Sequence, residues 1–194
     1  MPPARGDLPL AVAAWVAYLC VHFVFVPGWF ARRYRCSPYA LRWLPRNGYD
    51  LVESAYGLLV AGYTVAVSLG PLPGPRWPVL ALACVVAGSG LIVWAVATLG
   101  SSWRIGQDES DMACTHVTRG PYRLVRHPIY YGMTISAFGQ MLLTASDPHG
   151  LILLLGTVAY VLLQGRAESR RWSRCMRREG TGAEEGGIVG SAND

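Results

Sequence analysis

Five long apolar runs, separated by arginine-, proline- and glycine-rich breaks, constrain this chain more than any other feature of its sequence. They cover residues 8–30, 51–72, 77–99, 128–145 and 151–164. As a helix rising 1.5 Å per residue, the first run exceeds the ~30 Å hydrocarbon core of a bilayer. It is too long for the apolar region of a cleavable signal peptide, and Arg32, Arg33 and Arg35 follow it, so it reads as an uncleaved first span. Only 15% of residues are charged against 52% hydrophobic, whereas a soluble domain carries about 25% charged residues. The expectation is an all-α integral membrane protein with about five transmembrane helices. Residues 1–179 form a single domain in this reading. Residues 180–194, rich in Gly, Glu, Ser and Asn, form a disordered tail.

Charge placement supports that division. All 17 basic residues are arginine. Arg32, Arg33, Arg35, Arg42 and Arg46 follow the first run, and Arg104, Arg119, Arg123 and Arg126 follow the third. Arg166, Arg170, Arg171, Arg174, Arg177 and Arg178 follow the fifth, while the opposite side holds only Arg5 and Arg76. The positive-inside rule then puts the N-terminus outside and the C-terminus in the cytoplasm. Arginines gathered at span ends point to anionic lipid headgroups rather than to nucleic acid.

Other classes fit poorly. The five cysteines are scattered with no CxxC, which argues against a disulfide framework. Cys114, His116 and His127 match no zinc spacing, so no metal is expected. No internal repeat suggests a transporter built from inverted halves. Asp147-Pro148-His149-Gly150 reads as a tight turn joining runs four and five into an antiparallel hairpin. The fifth run is short for a span, though its helix could continue into the arginine-rich stretch beyond it.

The break before the fourth run is different from the others. Residues 116–132 hold Arg119, Arg123 and Arg126, His116 and His127, and Tyr122, Tyr130 and Tyr131, a polar hinge between two apolar runs. Pro128 suits the first turn of a helix, where its missing N–H costs nothing, and this leaves His127 at the boundary. Freed backbone N–H groups with the arginines favour an anion, and the tyrosine rings favour a cation. A ligand carrying both charges would fit; so would a basic loop resting on lipid phosphates. Glu168 either pairs with its arginine neighbours or reaches back to the hinge. Asp50 and Glu53 resemble the cap of the second span, or Glu53 faces a pocket. Gly132, Ser136 and Gly139 lie on one helix face and predict close packing, and Gly132 also leaves room for a ligand.

The run Gly120-Pro121-Tyr122-Arg123-Leu124-Val125-Arg126-His127-Pro128-Ile129-Tyr130-Tyr131-Gly132 resembles the signature of the isoprenylcysteine carboxyl methyltransferase family and of related phospholipid and thiol methyltransferases of membranes. Ser102-Trp103-Arg104-Ile105-Gly106 with Asp108-Glu109 resembles its bacterial members, and the likeness spans roughly residues 50–170. The resemblance implies S-adenosylmethionine as cofactor, bound at the cytoplasmic face of a bacterial inner membrane. It implies that Tyr122, Val125, His127, Pro128, Tyr130, Gly132 and Glu168 hold the cofactor, with Arg123, Arg126 and His127 acting in transfer. The expected reaction methylates a lipophilic acceptor: an isoprenylcysteine-type carboxylate, a thiol or a lipid amine. The expected partners are therefore that lipid substrate and the bilayer. The family has a Glu-Glu pair followed by a Phe-Gly, Tyr and Pro tail, where this chain has Glu168-Ser169 and no such tail. That departure keeps an alternative in play: a non-catalytic scaffold or lipid-binding protein that retains the fold.

Overall fold

The computed structural model describes residues 10–39, 48–70, 75, 77–104, 117–144 and 148–186, with backbone alone at 49, 171–172 and 174–186. No β-strand forms among them. The order is α1 (Leu10–Leu19), a π-helical turn (Cys20–Phe25), α2 (Val26–Tyr34), α3 (Gly48–Leu69), α4 (Pro78–Leu99), α5 (Pro128–Leu143) and α6 (Pro148–Gly186). A short 3-10 turn at Gly100–Ser102 ends α4, and another at Gly120–Arg123 lies within the hinge. Among the described residues, four stretches are long and apolar enough to cross a membrane: Leu10–Tyr34, Asp50–Leu69, Pro78–Ser102 and Pro148–Arg170. The fourth predicted span, α5, has only 16 residues, short of the ~20 that a bilayer requires.

α1, the π turn and α2 form one continuous first span. Pro27 has no N–H to return to the preceding turn, and the wide turn lies directly before it. α6 corrects two expectations. Pro148, His149 and Gly150 are its first helical residues rather than a free turn. The run expected to be short continues as a candidate span to Arg170. Thr157 and Gln164 interrupt its apolar pattern, yet both are buried against other helices. The helix runs to Gly186, into the segment expected to be disordered; residues 187–194 lie outside the described residues.

Three apolar clusters hold the bundle. Trp15, Tyr63, Val67, Ala137 and Leu153 join α1, α3, α5 and α6. Val26, Phe30, Ile92, Val96 and Trp103 fix the first span to α4 near the hinge. Ala11, Ala81, Val85 and Leu143 close the other end. Between α4 and α5 the backbones nearly touch: a Cβ at Gly132 would lie 2.7 Å from the Gly88 carbonyl oxygen, and one at Gly139 2.7 Å from that of Ala81. Lipid tails give no hydrophobic drive for helices to associate, so small residues that permit van der Waals packing decide this contact.

Candidate active site

The hinge is seated on α4 before it presents any side chain. Gly120 adopts φ +57°, and a Cβ there would lie 2.7 Å from Thr98 Oγ1, so both conformation and space require glycine. Pro121 is buried, and its carbonyl accepts the N–H groups of Leu124 and Val125, each at 3.1 Å. His127 sits at the N-cap of α5 with φ −130° and ψ 65°, a non-helical conformation suited to the residue before a proline. Its carbonyl accepts the N–H of Tyr130 at 3.1 Å and of Tyr131 at 3.3 Å. Its side chain makes no cap bond and is available elsewhere.

That side chain turns to α6. His127 Nδ1 lies 3.2 Å from Glu168 Oε2, and the Tyr130 hydroxyl donates to Glu168 Oε1. The His127 and Tyr130 rings stack with centroids 5.5 Å apart and an interplanar angle of 27°. One carboxylate is therefore gripped at both oxygens by the first turn of α5. The His127 and Glu168 side chains remain 28% and 33% exposed, so the cluster lies open to a ligand. Tyr122 is half-buried nearby; burial first, and the Glu168 carboxylate second, push its phenol pKa upward and keep it neutral at physiological pH.

A second tier continues from this cluster. The Tyr160 ring meets that of Tyr130 edge-on, with centroids 6.3 Å apart at 86°, and stacks on Tyr56 at 4.2 Å. The Tyr160 hydroxyl donates to Glu53 Oε1 at 3.5 Å, and Gln164 Nε2 donates to the same oxygen at 3.4 Å. The Thr157 hydroxyl gives its proton to the Leu153 carbonyl at 2.8 Å, so Tyr56 is the donor in its 3.4 Å contact with Thr157.

Among the residues singled out from sequence, Tyr122, His127, Tyr130 and Glu168 come together. Pro128 is buried and fixes the helix start, and Val125 is half-buried in the turn before it. Arg123 and Arg126 are exposed. Gly132 is packed against Gly88 and Ile92 of α4, the close contact that small residues predict. Asp108, Glu109, Cys114 and His116 lie outside the described residues. Sequence reasoning missed Tyr56, Tyr160 and Gln164 and weighed Glu53 mainly as a cap. One signal was available: Tyr160, Gln164 and Glu168 recur every fourth residue, a polar stripe on an otherwise apolar helix. Ser169, where the family pattern has a second glutamate, instead donates its hydroxyl to the Gly165 carbonyl at 2.8 Å.

A carboxylate held by tyrosine and histidine, lined by aromatic faces and flanked by exposed arginines, suits a small ligand bearing both a cation and an anion. Fold and site together define a polytopic helical membrane protein with a polar site at one end of the bundle. The phospholipid methyltransferase family model matches residues 77–175, which carry the hinge, α4, α5 and the membrane part of α6. The chain belongs to that family, and so to the group of membrane methyltransferases that includes the isoprenylcysteine carboxyl methyltransferases. No curated protein and no solved structure matches the chain.

Proposed function

We propose that the protein transfers a methyl group from S-adenosylmethionine to a lipophilic acceptor that enters from the bilayer, at the cytoplasmic end of the bundle. The observation that carries this reading is the Glu168 carboxylate, held at one oxygen by Tyr130 and approached at the other by His127. When bound, the cofactor supplies a methyl group already activated by its sulfonium, so the protein's task is alignment. Glu168 offers the negative group for the cofactor's ammonium. Tyr122 and Tyr130 offer ring faces to the sulfonium. Arg123 and Arg126, exposed beside this cluster, are suited to hold a carboxylate. With the cofactor bound, the acceptor's lone pair would bond to the methyl carbon and the carbon–sulfur electron pair would stay on sulfur, chemistry the cofactor would supply while these residues hold both partners in line. The cytoplasmic orientation is supported by the arginines that gather at the hinge end of the spans.

Calorimetric titration of the purified protein with S-adenosylhomocysteine tests the reading. Wild type is expected to bind, with His127→Ala and Glu168→Ala each weakening binding by about tenfold or more, as loss of a charge-assisted hydrogen bond implies. No measurable binding by wild type would sink the proposal. A wild type that binds but methylates no lipid amine, thiol or carboxylate would favour the non-catalytic reading, for which Ser169 in place of the family's second glutamate is the structural argument.

A further inference from the structure

We infer that Glu53 is the acceptor-side carboxylate of this site, binding the ammonium head of a lipophilic acceptor and taking one proton from it, so that the amine's freed lone pair accepts the methyl group; this rests on the methyltransferase reading above. Glu53 lies on α3, outside the 77–175 segment that the family model matches, so family membership assigns it no role. It falls within a candidate membrane span, Asp50–Leu69. A carboxylate there is costly unless a cation or several hydrogen bonds compensate it. Its hydrogen-bond partners among the described residues are the neutral Tyr160 and Gln164, at 3.5 and 3.4 Å, and both donate to Oε1. Oε2 accepts no hydrogen bond among them, and no arginine among them pairs with either oxygen. These contacts reach across to α6 rather than to the start of α3, as a capping role would require.

The surroundings specify a cation. Tyr56 and Tyr160 stack beside the carboxylate and Tyr160 abuts Tyr130, so aromatic faces line the path from Glu53 to Glu168. With Glu168 engaged by the cofactor's ammonium, Glu53 is a second negative group left for a second cation. A carboxylate acceptor would meet like charge from both glutamates, and a neutral thiol would gain nothing from them.

The test uses the full chain in nanodiscs, wild type beside Glu53→Gln, which keeps the side-chain shape. Dodecylamine and dodecanethiol serve as acceptors, and S-adenosylhomocysteine affinity is measured separately. The expected result for Glu53→Gln is cofactor-product affinity within about twofold of wild type. Its KM for dodecylamine rises about tenfold or more while the KM for dodecanethiol is unchanged, as loss of one charged hydrogen bond implies. Thermal stabilisation of the S-adenosylhomocysteine complex by dodecylamine disappears in the variant, a readout independent of turnover. Equal dodecylamine KM and stabilisation in both proteins overturns the inference. So does loss of S-adenosylhomocysteine binding in the variant, which would make Glu53 structural. A wild type that binds S-adenosylhomocysteine but neither binds nor methylates dodecylamine overturns this inference alone. A wild type that binds no S-adenosylhomocysteine overturns it together with the reading beneath it.

Discussion

The seam between α4 and α5 is tightly packed and closed, whereas the seam that α6 makes with α5 and α3 is polar and partly open. In the first, Gly88, Gly132, Ser136 and Gly139 bring two backbones together, and a Cβ on Gly88 would lie 2.5 Å from the Gly132 carbonyl oxygen. In the second, Tyr130, Glu168, Tyr160, Gln164 and Glu53 form a chain of ring contacts and hydrogen bonds across three helices. The contrast separates two tasks. α5 is short, so its position depends on being locked to α4, and that lock sets where His127 and Tyr130 begin. The α6 seam then meets these side chains with carboxylates. Side chains in the closed seam act through volume, and those in the open seam through charge.

Substitutions in the two seams should therefore fail in different ways. The largest effect is expected at Gly132→Leu. Its branched side chain has only α4 backbone and Ile92 to displace, and overpacking of this kind costs on the order of 3 kcal/mol or more. The measurement is thermal unfolding in detergent, and a melting temperature equal to wild type would refute the close contact. Next comes Glu168→Gln, expected to weaken S-adenosylhomocysteine binding by about tenfold or more while moving the melting temperature little. Tyr130→Phe should weaken binding less, by roughly fivefold, because a neutral donor is lost and the ring remains. In the double variant the two losses should not fully add, since both weaken the same Tyr130–Glu168 contact, one by removing its charge and the other its donor; full additivity would separate Tyr130 from Glu168. Arg123→Ala and Arg126→Ala should each change stability by less than about 0.5 kcal/mol, as exposed positions do.

The closed seam was the more legible of the two. Gly132, Ser136 and Gly139 follow the helical repeat, and small residues at that spacing have few other uses between membrane helices. The hinge was legible for a related reason: its arginines, histidines and tyrosines stand out between apolar runs, and Pro128 marks where the helix starts. The open seam was not. Whether Glu168 pairs with neighbouring arginines or with Tyr130, 38 residues away, depends on the rotation of α6 against α5, which spacing leaves undetermined. Thr157, Tyr160 and Gln164 did not disclose their role, because a pattern of polar residues looks the same whether it faces water or another helix. The π turn at Cys20–Phe25 was likewise hidden, since a change of hydrogen-bond register leaves the apolar pattern almost intact; Pro27 was its only trace.

Tyr122 links the hinge to the open seam and gives the smallest of the expected effects. Its phenol is half-buried outside the spans, and burial and the Glu168 carboxylate both hold its pKa above the ordinary value near 10. The unfolded chain releases this proton first as pH rises, so the folded state binds more protons above about pH 10 and loses stability there. Below that pH the contribution is constant. Tyr122→Phe carries no such proton, and its stability should fall less steeply between about pH 10 and 11 than that of wild type, with the two curves parallel at neutral pH. Glu168→Gln removes the second cause of the shift but leaves burial, so the effect of Tyr122→Phe in that background should shrink without vanishing. Were it to vanish, charge rather than burial would govern this phenol, and the turn would lie closer to Glu168 than its packing against α4 implies.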